Sequence, residues 1–484
     1  MSIHELPPLS GALGRLGLGE PPDLPPPPPQ VPVGPRRPVV VEPIPVDDVD
    51  WRLVVTLRRE AAEQIARAAD DWLADHGRPL PDADRRVLGR AIVRSVVHAR
   101  AQALSEQGEA LWPLRLENHY ADAVENAIFG YGRLQPLFEL PTAENIEIHG
   151  HDNVWVQHGD GRRTPHPPVA DSDDELVDAI RFLGETATPP RPFDDLHPTM
   201  TLALGDRFRL HAIGFGLSFR PSVVIRQHLL TDVTLRDLAE DGMLPSRVAR
   251  LLESAVLARK SIVISGDQGA GKTTLLRALI SAIHPSERFG TLETDYELLT
   301  HLLAHRRNVL ALQARVGMGE TAGGVPVGSF TVADLIPEAL RQNLTRLVVG
   351  EVRGEEAGAM FEAMQAGAGT LSTTHSHSAA STIDRLAARV AQGRVLSIDD
   401  AMRQIAHHID FVVHVTLQDD AWRGGARRRF VSEVRQLTGA IEADRPSTHL
   451  VYRAATATQP ELFQPDAAMA AELAPFERGA DAWA

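Results

Sequence analysis

The sequence predicts an α/β protein whose largest part is a parallel sheet covered by helices on both faces. Between residues 238 and 425, short apolar segments alternate with amphipathic helical segments, which is the pattern of βαβ units. A glycine-rich loop, 266–273, lies between the apolar segment Ser261–Ser265 and the helical segment Thr273–Ile283. Loops at the carboxyl ends of parallel strands form the ligand-binding edge of such sheets.

Composition bounds the possible functions. The 484 residues suggest about two to four domains. The net charge of −15 argues against a general nucleic-acid binder, and the absence of cysteine excludes disulfides, thiolate metal sites and cysteine nucleophiles. No apolar run approaches the ~18 residues that span a bilayer, and the N-terminus lacks a basic segment followed by an apolar one. We therefore expect a cytoplasmic chain without a transmembrane segment.

The chain divides into six predicted regions that differ in composition and periodicity. These are a proline-rich disordered tail (1–48), a helical region (51–127), an α+β N-terminal domain (128–228), a linker (229–237), the domain with the parallel sheet (238–425), and a C-terminal hairpin and tail (426–484).

The glycine-rich loop carries the clearest chemical signal. It reads Gly266, Asp267, Gln268, Gly269, Ala270, Gly271, Lys272, Thr273, Thr274 and matches the pattern G-x-x-x-x-G-K-[ST] in its required strand–loop–helix context. Glycines let the backbone amides curl around phosphates at a helix N-terminus. Lys272 is one of only two lysines in the chain and would reach the β- and γ-phosphates of ATP, while the Thr273 hydroxyl would bind Mg²⁺.

Three further strand ends supply candidate catalytic side chains. Glu351 follows the apolar segment Leu347–Val349 and could orient or deprotonate water and help hold the metal through water. Glu293 and Glu297 follow the phosphate-loop helix, where the next strand should end. His375 ends the segment Thr370–Thr374 and could sense the γ-phosphate; with His377 it makes only a weak case for a metal site.

Taken in their order along the chain, the motifs resemble those of the type II/type IV secretion ATPase superfamily. They most closely resemble those of its CpaF/TadA-like members of tight-adherence pili. The resemblance covers roughly residues 115–435. It rests on the entry segment Tyr131–Leu137, the phosphate loop, the acidic segment Glu293–Leu298, the segment Arg346–Glu355, which resembles the family's Walker B strand, and the histidine segment Gly369–His375.

The resemblance implies a RecA-like P-loop NTPase domain preceded by a smaller α+β domain and a helical region. It also implies a cytoplasmic ATPase that uses ATP and Mg²⁺, forms a homo-oligomeric ring, usually a hexamer, and works with platform proteins at the inner membrane. Family arginines that reach phosphates match Arg209 and Arg226 best. The sequence departs from the family at Thr294, at Ser376-His377 and at Asn343.

Two other functions stay open at this stage. P-loop rings also translocate nucleic acid, which DNA-stimulated and salt-dependent turnover would reveal. The departures at Thr294 and His377 would also suit a nucleotide-binding scaffold with little turnover. A motor for pilus assembly or secretion, which hydrolyses ATP to ADP and phosphate, is the leading hypothesis.

Overall fold

The computed structural model describes residues 49–108, 110–187, 190–205, 207–315, 321–322, 325–352, 356–365, 369–392, 396–454 and 460–477. The proline-rich tail predicted at 1–48 and the end of the Walker B-like segment, 353–355, lie outside the described residues. No helix within these ranges is long and apolar enough to cross a membrane.

Three helices form a bundle in the predicted helical region: α1 (Trp51–His76), α2 (Asp82–Glu106) and α3 (Leu114–Phe129). The Asp50 side chain caps α1 by accepting the Arg52 N–H, and Gly77 ends it in the left-handed conformation. Apolar residues recurring at helical spacing meet in the bundle core; they include Val54, Leu57, Val93, Val96, Tyr120 and Val124.

An antiparallel six-stranded sheet forms the α+β domain. Its order is β3-β2-β1-β6-β5-β4. The strands are β1 (Ala143–His149), β2 (Val154–His158), β3 (Arg163–His166), β4 (Thr199–Leu204), β5 (Phe208–Ile213) and β6 (Ser222–Gln227), with α4 (Gln135–Phe138) and α5 (Asp173–Thr186) packed on them. The hydrogen-bonded neighbours β5 and β6 place Arg209 directly opposite Arg226.

A nine-stranded sheet dominates the rest of the chain, in the order β17-β16-β15-β14-β7-β13-β12-β8-β9. Six neighbouring strands run parallel, as the alternating pattern predicted. They are β7 (Ile262–Gly266), β8 (Phe289–Glu293), β9 (Val309–Gln313), β12 (Arg346–Val349), β13 (Gly369–His375) and β14 (Phe411–Asp419); the ribbon β10 (Thr321–Ala322) and β11 (Val325–Pro326) lies outside the sheet.

Helices cover both faces of this sheet and bury two apolar clusters against it. They are α6 (Leu235–Glu240), α7 (Ser246–Leu257), α8 (Lys272–Ser281), α9 (Val332–Leu340), α10 (Glu356–Gln365), α11 (Ala379–Gln392), α12 (Ile398–His408) and α13 (Ala467–Leu473). Both faces of the central strands are therefore apolar, which explains why they read as continuous hydrophobic runs.

The predicted C-terminal hairpin continues the large sheet. β15 (Arg427–Glu442) pairs antiparallel with the whole length of β14, and it is followed by β16 (Arg445–Arg453) and the short β17 (Glu461–Leu462). Helix α6 begins at Leu235, inside the predicted linker, because a capping box at Thr234 and Asp237 starts the helix there.

A buried ion pair ties the amino-terminal ends of the central strands together. Arg346, at the start of β12, is fully buried; its Nε donates to Glu287 Oε1 at 3.1 Å and its Nη2 to the Val256 carbonyl at 2.6 Å. Burial lowers the pKa of the Arg346 guanidinium, which the Glu287 carboxylate partly offsets. The Glu287 side chain is 9% exposed and supplies the carboxylate that compensates the buried guanidinium of Arg346.

We expect Glu287→Gln to lower the free energy of unfolding by about 3 kcal/mol, because it leaves a buried guanidinium without its counter-charge. Urea unfolding of the apoprotein measures this loss. Glu338→Gln is the control: its ion pair with Arg341 is exposed and should be worth less than about 1 kcal/mol. An equal loss of unfolding free energy in the two variants would show that Glu287 does not compensate the buried charge of Arg346.

Candidate functional site

The phosphate-loop segment is shaped by glycines with positive φ. Gly266, Gly269 and Gly271 have φ of 151°, 75° and 96°. A Cβ at Gly266 would lie 2.2 Å from the Val415 carbonyl oxygen of the neighbouring strand β14, so no larger residue fits there. The loop leads from β7 into α8, whose first residue is Lys272. This places backbone N–H groups and a helix N-terminus together, the arrangement that binds phosphate.

Lys272 folds back over its own loop. Its Nζ donates to the carbonyls of Gly266 at 3.0 Å and Asp267 at 2.9 Å, and lies 3.2 Å from His375 Nδ1. The residue is only 8% exposed. A buried ammonium held by carbonyl dipoles presents a fixed positive charge to an anion entering the loop.

His375 connects this lysine to Glu351. The parallel strands bring the two residues together: His375 lies opposite Gly266 in register, and Glu351 follows the adjacent strand β12. His375 Nε2 is 3.2 Å from Glu351 Oε1. Because Lys272 can only donate, we assign His375 Nδ1 as the acceptor, which places the imidazole proton on Nε2, the nitrogen that faces the Glu351 carboxylate. The sequence predicted all three residues, and the structure brings them into one polar chain.

Glu293, at the end of β8, is almost completely buried. Its Oε1 accepts the backbone N–H groups of Glu297 at 2.9 Å and Leu298 at 2.8 Å. Its Oε2 has no hydrogen-bond partner among the described residues. Burial raises the pKa of the Glu293 carboxyl to about 7, against the lowering effect of the two N–H donors. The side chain can therefore hold a proton near neutral pH.

Arg209 reaches from the α+β domain to the acidic segment after β8. Its Nη1 lies 2.5 Å from Glu297 Oε1, and its Nη2 donates to Asp295 Oδ2 at 2.8 Å. Arg226, opposite it on β6, lines the same cavity. The two predicted arginines thus face the phosphate loop from the smaller sheet, while Glu297 binds Arg209.

Sequence reasoning missed Arg277, which lies one turn into α8. The guanidinium is buried and donates to the Leu230 carbonyl at 2.7 Å and to the Glu297 carbonyl. Burial lowers the pKa of Arg277 to about 10. Burial, reinforced by nearby arginine charges, also lowers the pKa of His228 to about 3, so that this imidazole is neutral. Only the position of Arg277 in an otherwise apolar helix segment could have marked it.

One cavity of about 930 Å³ collects most of the predicted site. Its lining includes Arg209, Arg226, Gln268, Gly269, Gly271, Lys272, Thr273, Thr274, Glu293, Glu297, Glu351 and His375. Three residues of the loop, Gly266, Asp267 and Ala270, form the turn without lining the cavity. Instead, the Asp267 carboxylate pairs with the exposed His377 imidazole at 3.0 Å.

The residues present suit a magnesium ion held mainly by phosphate and water. Within the described ranges, no group of three or more His, Asp or Glu side chains could hold a metal by itself. The Thr273 hydroxyl oxygen and the Glu351 carboxylate, both on the cavity wall, are hard oxygen ligands of the kind Mg²⁺ prefers. The unpartnered Glu293 Oε2 adds a buried acceptor suited to metal-bound water.

The parallel sheet and the glycine-rich loop between β7 and α8 define a P-loop α/β protein. Residues 199–430 match the family described as type II/IV secretion system protein. A putative conjugal transfer protein of Mycobacterium tuberculosis is 30% identical over 347 residues, which cover 66% of this chain and 89% of that protein. This chain belongs to the type II/IV secretion system protein family.

Two further comparisons give more distant similarities. VirB11 of Agrobacterium fabrum is 30% identical over 189 residues, covering 37% of this chain and 52% of VirB11. The solved structure of the Legionella pneumophila ATPase DotB is 22% identical, with a TM-score of 0.44, and the match covers 63% of this chain and 79% of that one.

The raised pKa of Glu293 predicts a pH-dependent stability difference between the parent and Glu293→Gln. Between pH 4.5 and 7 the folded parent binds the proton more tightly than the unfolded chain does, so the parent loses stability as pH rises, whereas the glutamine variant does not titrate. We expect the stability advantage of Glu293→Gln to grow by about 3 kcal/mol over this window and to stay constant above it.

Urea unfolding at pH 5 and pH 8, without nucleotide or Mg²⁺, measures this difference. If the parent and Glu293→Gln differ in free energy of unfolding by the same amount at both pH values, the pKa of the Glu293 carboxyl is not raised.

Proposed function

We propose that this chain is an ATPase that converts ATP and water into ADP and phosphate. The observation that carries the proposal is the chain of contacts from Lys272 through His375 to Glu351 at the edge of the cavity beside the phosphate loop. In this chain, Lys272 is the group that would bind phosphate and Glu351 is the group that would activate water. The His375 imidazole contacts both, so that a movement of one can affect the other. A RecA-like ring motor is the arrangement in which we expect this site to work.

Each side chain has a role that follows from its position. The loop amides and Lys272 bind the β- and γ-phosphates, while Thr273 and, through water, Glu351 hold Mg²⁺, which when bound would neutralise phosphate charge. Glu351 orients the attacking water and accepts its proton as the oxygen bonds to the γ-phosphorus and the bond to the leaving ADP oxygen breaks. His375 fixes the Glu351 carboxylate, and Glu293 and Glu297 order the acidic segment beside it.

Arg209 and Arg226 supply positive charge from the opposite wall. Charge spreads over the transferring phosphoryl group, and a guanidinium beside it stabilises that state. In the present conformation Arg209 is neutralised by Asp295 and Glu297. We propose that nucleotide binding and subunit assembly exchange these carboxylates for phosphate oxygens.

We further propose a homo-oligomer, with a hexamer as the expected ring, that docks on platform proteins at the cytoplasmic face of the inner membrane. Its work would be pilus assembly or protein secretion, as in tight-adherence systems. Family membership and the segments that resemble CpaF/TadA-like ATPases support this role. The helical bundle α1–α3 and the α+β domain are the proposed docking surfaces.

Nucleic-acid translocation remains the second candidate, because the Mycobacterium tuberculosis relative is described as a putative conjugal transfer protein. The net charge of −15 disfavours it. Turnover stimulated by DNA, with a steep salt dependence, would favour it over secretion.

Glu351→Gln should reduce kcat at least about 100-fold while nucleotide still binds, because the amide cannot accept the proton from water. Lys272→Ala should abolish nucleotide binding, because it removes the fixed charge under the loop. Steady-state phosphate release and ADP binding measure these effects, with oligomeric mass determined with and without ATP and Mg²⁺. A parent that binds nucleotide but turns over no faster than Glu351→Gln would establish a scaffold instead of an enzyme.

Arg209→Ala and Arg226→Ala should each lower kcat by about 100-fold, the usual loss on removing one donor to developing charge. Arg226→Ala should leave thermal unfolding little changed, whereas Arg209→Ala also breaks the ion pairs to Asp295 and Glu297 and should lower Tm, so kcat is compared at a temperature at which both variants are folded. Arg236→Ala, on the exposed face of α6, is a matched control and should leave kcat unaltered. Wild-type kcat in both Arg209 and Arg226 variants would contradict their proposed role.

A further inference from the structure

An ion-pair cluster beside the phosphate loop is not used by the chemistry described above. Glu144, on β1 of the α+β domain, lies between two arginines of β15, and its side chain is 12% exposed. Arg427 Nη1 donates to Glu144 Oε2 at 2.7 Å, and Arg429 Nη2 contacts the Glu144 carboxylate oxygens at 2.6 and 2.8 Å. We call these three residues the Glu144 clamp.

Arg429 makes a second contact that Arg427 does not make. Its Nε donates to the carbonyl of Gly269, within the phosphate loop, at 2.8 Å. The stem of the same side chain lies against the loop, since a Cβ at Gly271 would be 3.3 Å from Arg429 Cδ. One planar guanidinium therefore touches the α+β domain through Nη2 and the phosphate loop through Nε.

The loop contact is significant because the peptide bond is planar and trans. Holding the Gly269 carbonyl also fixes the direction of the Ala270 N–H, which donates to the Asp267 carbonyl at 3.3 Å. The shape of the loop that would surround a phosphate thus depends on a side chain whose orientation is set by Glu144.

The other two arginines of this segment behave differently. Arg427 is bound to Glu144 and lies 3.2 Å from Asp419 Oδ2, but no loop carbonyl is among its described partners. Arg428 points to the opposite face of β15 and is exposed. This follows from the alternation of side chains along a strand.

We propose that Arg429 is a positioning residue, which transmits the position of the α+β domain, through Glu144, to the nucleotide-binding form of the phosphate loop. This inference rests on the proposed function, since it concerns nucleotide binding at the same loop. When Glu144 moves away, Arg429 loses its counter-charge and its orientation, and the Gly269 carbonyl loses a fixed donor.

The test measures the affinity of a fluorescent ADP analogue for the full chain, so that turnover is not required. Arg429→Gln should weaken binding about tenfold, as expected for a lost charged hydrogen bond. Arg429→Lys should weaken it to a similar extent, because an ammonium can remain near Glu144 but cannot present the planar fork that serves both partners. Arg428→Gln is the matched control and should bind like the parent.

Glu144→Gln should weaken ADP binding about threefold, although Glu144 bonds no loop residue of the described structure, and the combined Glu144→Gln/Arg429→Gln variant should be no weaker than Arg429→Gln alone. In turnover assays KM should rise while kcat is kept, because Arg429 contacts the loop and none of the proposed reacting groups.

Parent-like affinity in both Arg429 variants, or additive losses in the double variant, would overturn the coupling. In that case loss of binding in Lys272→Ala would still uphold the proposed function, whereas a parent that binds no ADP would end both proposals. Thermal unfolding identifies any variant that fails to fold; should Arg429→Gln do so, Arg429→Lys decides the outcome.

Discussion

The architecture of the site depends on one ammonium group that is held inside its own loop. Lys272 Nζ is fixed by two loop carbonyls at the end of β7 and by His375 at the end of β13, so that these contacts join the ends of two neighbouring strands. The glycine conformations of the loop leave room for this arrangement, and the buried strands behind it supply a rigid support. The neighbouring carboxylates and arginines line the same cavity as this ammonium group.

Charged side chains around the cavity are paired with groups that are close in space but distant in sequence. Arg209 is paired with two carboxylates and Arg429 with Glu144, while Arg277 donates to the backbone carbonyls of Leu230 and Glu297. Such pairs are strong in a partly buried cavity, where screening by water is weak. A ligand with several negative charges would compete with the existing carboxylates for the same guanidinium groups, and its binding would change how the two sheets contact each other.

Short sequence motifs and hydrophobic periodicity predicted those parts of the site that lie within one continuous segment of the chain. The phosphate loop, the strand ends carrying Glu293, Glu351 and His375, and the parallel order of the central strands all follow from motif and periodicity. The meeting of these strand ends was predictable too, because the carboxyl ends of parallel strands share an edge.

Contacts between distant segments could not be predicted in this way. Glu144 and Arg429 are 285 positions apart, and each resembles an ordinary surface residue in its own segment. The burial that shifts the pKa of Glu293 depends on how the segment after β8 folds over it. The pairing of the C-terminal hairpin with β14 depends on which strand forms the edge of the parallel sheet.

The scarcity of lysine has a practical consequence. Lys260 and Lys272 are the only side-chain amines in the sequence, and neither is open to solvent: Lys260 is bound to Glu472 and Asp410 with 14% of its side chain exposed, and Lys272 lies under the loop. Amine-directed labels and crosslinkers thus meet a surface with many guanidinium groups and almost no accessible side-chain amine.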